Sequence, residues 1–160
     1  MAGLDIRNCF TYAYSNGTYT DLFQAFTAGM ISMNEIDLDV AGIRIGGGAK
    51  PPWLIVKVGP ADFATNTGGA NIKLVNHTDT IAMDGTGHDI LCYRFALGVM
   101  VANALLVNQP LPNFIYERYL RIEFEPHTAN ATAGKLCAYL SDGPEAAVAP
   151  IPLTVLNGFS

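Results

Sequence analysis

A chain of 160 residues, half of them hydrophobic, is long enough to bury one self-sufficient core. Only 14% are charged, against roughly 25% in typical soluble domains, and a net charge of −5 with no run of adjacent Lys or Arg excludes the cationic footprint that duplex nucleic acid demands. Apolar stretches break every few residues, short of the roughly 20 that cross a bilayer, and Met1–Phe10 lacks the cationic start and apolar run of a secretory signal, so neither a membrane partner nor Sec export is expected.

Thr, Asn, Ser and Gly must supply the exterior that charge does not, as expected where other subunits cover much of a surface. Met1–Tyr19 mixes Phe10, Tyr12, Tyr14 and Tyr19 with the turn pair Asn16-Gly17, and residues 1–29 read as an N-terminal arm. At most one short helix is expected, near Asp21–Ala28. From Glu35 to Val40, Ile36, Leu38 and Val40 alternate with Glu35, Asp37 and Asp39, a strand with an acidic outer face. Trp53–Val58 is a β-branched run whose ends are fixed by Pro51-Pro52 and Gly59-Pro60. Asn71–Asn76 follows a turn at Gly68-Gly69. Ile90–Gly98 and Leu105–Asn108 read as strands with Gly98 and Asn103 between them, an amphipathic helix over Arg94–Val107 being the competing reading.

The clearest signal is Tyr119–Glu125, where Leu120, Ile122 and Phe124 alternate with Arg121, Glu123 and Glu125. Gly134–Ser141 is the last strand, Leu136, Ala138 and Leu140 on one face and Lys135, Cys137 and Tyr139 on the other, and Asp142-Gly143-Pro144 stops it. Residues 144–160 form a second arm, apolar yet barred from a helix by Pro150 and Pro152. The candidate residues for contact with neighbouring subunits are Ile151, Leu153, Val155, Leu156 and Phe159 of this arm, with Phe10, Tyr12 and Tyr14 of the first. Six or seven short strands parted by turn residues predict an all-β fold, an antiparallel β-sandwich over residues 30–143, jelly-roll-like, with extended N- and C-terminal arms. Strand count alone leaves an immunoglobulin-like sandwich or a small barrel open.

Catalytic and ligand-binding patterns are missing or incomplete. Gly46-Gly47-Gly48-Ala49-Lys50 lacks the spacing and following helix of a phosphate loop and reads as a turn. Asp84-Gly85-Thr86-Gly87-His88-Asp89 offers oxygen ligands at no EF-hand spacing, so a surface turn is the plainer reading. His77, His88 and His127 fall in no metal-binding spacing. The carboxylate pairs Asp37/Asp39 and Glu123/Glu125 lie on outward strand faces rather than in a sheltered cleft. Cys9, Cys92 and Cys137, odd in number and widely spaced, imply buried free thiols in a reducing compartment rather than a disulfide framework. No enzymatic activity, cofactor or metal is expected.

Several segments in order resemble the capsid cement or decoration proteins of the Bordetella phage type: Ser32-Met-Asn-Glu-Ile-Asp-Leu38, Gly46–Val58 with its Pro-Pro-Trp-Leu-Ile-Val, and Ile90-Leu-Cys-Tyr-Arg-Phe-Ala-Leu97. Leu111-Pro112, Arg118-Tyr-Leu-Arg-Ile-Glu-Phe124 and Thr132-Ala-Gly-Lys-Leu-Cys-Ala-Tyr-Leu140 complete the series, which covers roughly residues 30 to 142. The resemblance implies a structural virion protein made in the host cytoplasm. It would sit on the outer face of the major capsid protein shell and self-associate as a dimer or trimer about a symmetry axis. The alternative is a carbohydrate- or receptor-binding sandwich of a phage tail or spike, with Trp53, Tyr93 and Tyr139 stacking on sugars; Trp53 directly after Pro51-Pro52 favours a core anchor instead.

Overall fold

Alternation of branched and aromatic residues at period two builds short strands along the chain, which a computed structural model describes for residues 8–15, 18–26, 29–39, 42–45, 50–65, 68–79, 87–128 and 130–145. For 13–15, 18–21, 43–45 and 65 the description extends to the backbone only. β1 (Ala13–Ser15) and β2 (Thr18–Asp21) pair with each other, and β3 (Gln24–Ala25), β4 (Met30–Ile31) and β5 (Ile36–Asp37) are two-residue pieces. Next come β6 (Ile43–Ile45), β7 (Trp53–Val58), β8 (Ala64–Thr65), β9 (Ala70–His77) and β10 (His88–Phe95). A 3₁₀ turn at Leu97–Val99 leads to β11 (Leu105–Pro110), β12 (Phe114–Tyr116), β13 (Tyr119–Pro126), β14 (Ala131–Ala133) and β15 (Lys135–Ser141).

Two antiparallel sheets pack face to face. One runs β10-β9-β13-β4 with β5 also on β13, the other β11-β7-β15-β3, and the pairs β6/β12 and β8/β14 stand beside them. The chain crosses from β3 in the second sheet to β4 and β5 in the first and returns to β7. It then crosses to β9 and its neighbour β10, returns to β11, crosses to β13 and returns to β15. That alternation is the winding of a jelly roll. Both outer strands carry a register shift, between Asp89 and Leu91 in β10 and between Leu105 and Val107 in β11.

The core lies between the sheets. β13 sends Leu120, Ile122 and Phe124 into it, all fully buried, while Glu125 stays exposed. Facing them are Leu54, Val56 and Val58 of β7 and Leu136 and Ala138 of β15. Phe124 lies between Phe26, tilted to it at 5.4 Å between centroids, and Phe63, stacked on it at 5.6 Å. Two glycines are required by close approach. At Gly134, φ is +124° and a Cβ would lie 2.5 Å from the Phe63 ring, whereas at Gly69, φ is +102° and a Cβ would fall 1.9 Å from the Phe95 carbonyl oxygen.

The N-terminal part differs from the sequence expectation. Residues 8–12 and 22–26 are not an arm clear of the domain: Cys9 bridges Tyr139, the Phe10 amide donates to the Ala138 carbonyl at 2.8 Å, and Phe26 is fully buried. The helix expected near Asp21–Ala28 is replaced by β3 on the edge of β15. Such short pieces leave backbone groups that no ladder reaches, and buried polar side chains take them up. Thr11 Oγ1 donates to the Leu22 carbonyl and accepts from the Ala138 amide, both at 2.9 Å. Ser32 Oγ donates to the Asn34 carbonyl at 2.8 Å and accepts from the Ile122 amide at 3.1 Å. Gln24 donates to the Ile31 carbonyl at 3.1 Å and accepts from the Met33 amide at 2.6 Å. The helix weighed over Arg94–Val107 also gives way, because Gly98 and the left-handed Asn103 (φ 61°) turn the chain between β10 and β11.

Truncation of Leu120 or Ile122 to Ala is expected to cost about 2–5 kcal/mol in urea melts, with Glu125→Ala costing far less. Thr11→Val keeps the shape and removes the hydroxyl, stranding the buried Ala138 amide and the partly buried Leu22 carbonyl. It should cost roughly 1–3 kcal/mol, whereas Thr11→Ser should recover most of that loss.

Candidate functional site

The two outer faces of the sandwich differ in chemistry, and the difference follows from which residues occupy the outward positions of each sheet. On the first sheet these are Asn71 and Lys73 of β9, Cys92 and Arg94 of β10, and Arg121, Glu123 and Glu125 of β13. Register places Lys73 between Cys92 and Glu123, and its ammonium lies 3.3 Å from Glu125, 3.6 Å from Asp89 and 3.9 Å from Glu123. Partial burial acts to lower the Lys73 pKa, but the three carboxylates outweigh it and the net shift is upward. Glu123 is raised by burial, and Glu125 is lowered by the hydrogen bond from Asn71. At the rim, Arg118 grips both oxygens of Asp37 at 2.8 Å, and Arg121 pairs with Glu35 at 3.3 Å. Of the carboxylates noted in the sequence, Asp37, Glu123 and Glu125 are therefore paired with cations.

The second sheet turns apolar side chains outward. Cross-strand rows run Tyr139, Ile55, Asn108 and Cys137, Lys57, Leu105. Cys9, Ile55, Cys137 and Tyr139 form a second buried cluster, with Tyr12, Phe23, Trp53 and Leu105 packed half-buried around it. Outward strand positions are thus covered, which strict alternation does not predict: of Lys135, Cys137 and Tyr139, on the face opposite Leu136 and Ala138, only Lys135 is exposed, and Cys137 is a buried thiol as expected.

Glu145 seats the chain on this face. Its amide donates to Asn108 Oδ1 at 3.1 Å, its carbonyl accepts from Asn108 Nδ2 at 2.9 Å, and its carboxylate meets the Tyr139 hydroxyl and the Lys57 ammonium. Burial raises the Tyr139 pKa, and the bond to Glu145 adds to it. Glu145 was assigned to the second arm, whereas its first contacts are with its own domain. Sequence pattern gave no signal for it, because its partners lie 6, 37 and 88 residues earlier in the chain.

The residues nominated for subunit contact fall into three groups. Phe10 is fully buried in the main core, so its side chain is a packing element and not a docking residue. Tyr12 is half-buried against the second cluster. Tyr14 lies in β1, its side chain outside the described residues, as are Ile151, Leu153, Val155, Leu156 and Phe159 entirely. Among the described residues, the exposed large apolar side chains are Phe114 and Ile115 of β12, with Met33, Val101 and Leu22. Phe114 and Ile115 are about half exposed on the β6/β12 pair, Phe114 edge-on to the buried Tyr116 ring at 5.8 Å. The sequence offered only an apolar pair between a Pro-Asn turn and a charged dipeptide.

Of the aromatics considered for sugar stacking, Tyr93 and Tyr139 are buried and Trp53 is half-buried. Gly46–Ala49 and Asp84–Thr86 lie outside the described residues, and among those described no three His, Cys, Asp or Glu side chains converge as metal ligands. The histidines stand apart, His77 with Asp79, His88 beside Glu117 and His127 between Gly68 and Asn71. Cys92, expected to be buried, is exposed.

The Asp37–Arg118 pair gives a titration with a defined sign. Arg118 holds the Asp37 carboxyl down from 3.8 to about 2. Its contribution to stability is therefore present above about pH 4 and is lost as pH falls through about 2. The carboxyl carbon resonance of Asp37 should titrate with a midpoint near 2, and Arg118→Met should move that midpoint back toward 3.8.

Comparison with known proteins adds one finding. No curated protein matches the chain, whereas the model of the Bbp16 family matches residues 22–140, about three quarters of its length. The matched span begins at Leu22, just before β3, and ends at Leu140 within β15, so it contains every principal strand of both sheets. The chain therefore belongs to the Bbp16 family, a phage-associated family.

Proposed function

We propose that this protein is a capsid cement or decoration subunit, seated on the outer face of a tailed-phage head shell and bridging neighbouring copies of the major capsid protein. Membership of a phage-associated family supports a virion role. The observation that carries the reading is Glu145, fixed by Asn108, Tyr139 and Lys57 on the apolar outer face of the second sheet. From that fixed root a further 15 residues continue, among them Ile151, Leu153, Val155, Leu156 and Phe159. Extended, they span roughly 50 Å at about 3.3 Å each, enough to cross onto an adjacent subunit. Pro150 and Pro152 lower the entropy lost on ordering such a segment. If about 300 Å² of apolar surface is buried, the gross gain is about 7 kcal/mol before ordering costs.

Phe114 and Ile115 offer a second contact to the shell or to another copy of the chain. A homo-oligomer, dimer or trimer, fits a head lattice because either closes about a symmetry axis. Its partners in this reading are the major capsid protein and itself, with neither nucleic acid nor membrane involved.

The test is a truncation after Glu145, compared with the full chain for fold and for copies per purified particle. Far-UV spectrum and melting temperature should be unchanged, while occupancy falls by roughly tenfold or more on dilution. Hundreds of copies of the full chain per particle fit a shell component, and a handful would point to the tail or spike. Unchanged occupancy of the folded truncation would overturn the arm's role.

A further inference from the structure

The outer face of the second sheet ends in a pocket where β7 leaves the sheet and β15 enters it. Among the described residues it is lined by Phe23, Pro60, Ala61, Gly134 and Lys135 and encloses about 260 Å³. That is below the roughly 300–1,000 Å³ of small-molecule sites and suits aliphatic side chains. Its walls are fixed from behind. The Gly59 amide donates to the Lys135 carbonyl and the Gly59 carbonyl accepts from the Asn103 amide, both at 2.8 Å. Asp62 Oδ1 accepts from the Ala102 amide at 2.7 Å, so Pro60 and Ala61 are pinned on either side. Phe23 leans on the second apolar cluster. We propose that this pocket holds the chain's own C-terminal arm, which inserts Ile151 and Leu153.

Reach and direction carry the assignment. Glu145 roots the arm on the same face, at the cross-strand row of Asn108, Ile55 and Tyr139. From Ile55 to Gly59 is roughly 13 Å along β7, and from β11 across β7 to β15 is roughly 10 Å, at about 3.3 Å per residue and 4.8 Å per strand. The direct path is therefore roughly 16 Å, and residues 146–151 cover roughly 20 Å when extended. Ile151 arrives at the pocket, and Leu153 follows on the same side of an extended chain.

The arm's composition points the same way. Residues 146–160 carry no charged side chain, so they have no partner in the charged outer face of the first sheet. Pro150 and Pro152 lack amides on both sides of Ile151, which bars regular strand pairing at a sheet edge and leaves insertion of side chains. The short tether keeps the arm at high local concentration. Two side chains set against loop closure give an arm docked for an appreciable fraction of the time, with a domain hardly more stable for it. The pocket thereby stores apolar side chains until a partner takes them up. That use rests on the cement role, whereas the docking itself belongs to the isolated subunit.

The experiment attaches a nitroxide to Thr154→Cys in the full chain carrying Cys92→Ser, and records amide signals of the nitrogen-15-labelled protein. Ala61 and Gly134 should lose most of their intensity, while Lys73 and Arg94 on the first sheet keep theirs. Ala61→Trp fills the pocket from an exposed position, and it should restore the Gly134 signal, as should the double variant Ile151→Asp/Leu153→Asp. A mixture of nitroxide-bearing unlabelled chain with nitroxide-free labelled chain should show no loss. Full intensity at Ala61 and Gly134 in the first sample, a loss that survives both sets of substitutions, or an equal loss in the mixture, which would put a second copy's arm in the pocket, would each overturn the proposal. Copies per particle are counted separately, so failure here leaves the virion role untouched.

Discussion

Every backbone group buried at the margin of a sheet needs a hydrogen-bond partner, and in this sandwich that requirement decides how the N-terminal part is built. Where β15 runs out of continuous partner strand, the Thr11 hydroxyl accepts from the Ala138 amide and donates to Leu22. That side chain, with the Phe10 amide on Ala138 and Asn34 donating to Phe10 and Tyr12, holds residues 8–12 in place. With them come Phe10 in the main core and Cys9 in the second cluster. Ser32 performs the same service for β13 at Ile122, and Gln24 for the turn at Ile31–Met33. The pieces β3, β4 and β5 exist as strands because side chains complete what two residues of ladder cannot.

This also sets what could be read from the sequence. β13 was legible because one of its faces is buried and the other wet, so Leu120, Ile122 and Phe124 stand out against Glu123 and Glu125. β7 was legible from its proline boundaries. β3, β4 and β5 are too short to show any period, and the segment 8–12 owes its place to Ala138, more than 120 residues away. It read as an arm for that reason. β15 shows the opposite case: the alternation is there, but both of its faces are covered, so Cys137 and Tyr139 are buried as well as Leu136.

Of the candidate surface, the sequence conveyed composition more than geometry. Low charge and few cations were visible directly, yet their arrangement was not. Most ion pairs among the described residues lie on one sheet, where Lys73 meets three carboxylates, and the other sheet carries aromatic and aliphatic side chains around the Lys57–Glu145 pair. Glu145, which ties the chain to the apolar face, and the exposed Phe114–Ile115 pair both depend on tertiary placement that periodicity does not encode.

The margins of the two sheets have a consequence for the subunit before it meets any partner. On one side of the sandwich the sheets end in split pieces, β4 with β5 and Cys9 with β3. On the other they end in β10 and β11, each with a shifted register. A long flat edge is a template on which further chains add by backbone pairing, and neither a two-residue piece nor a bulged strand offers one. Among the described residues, the margins of the two main sheets are thereby poor templates for fibrous aggregation.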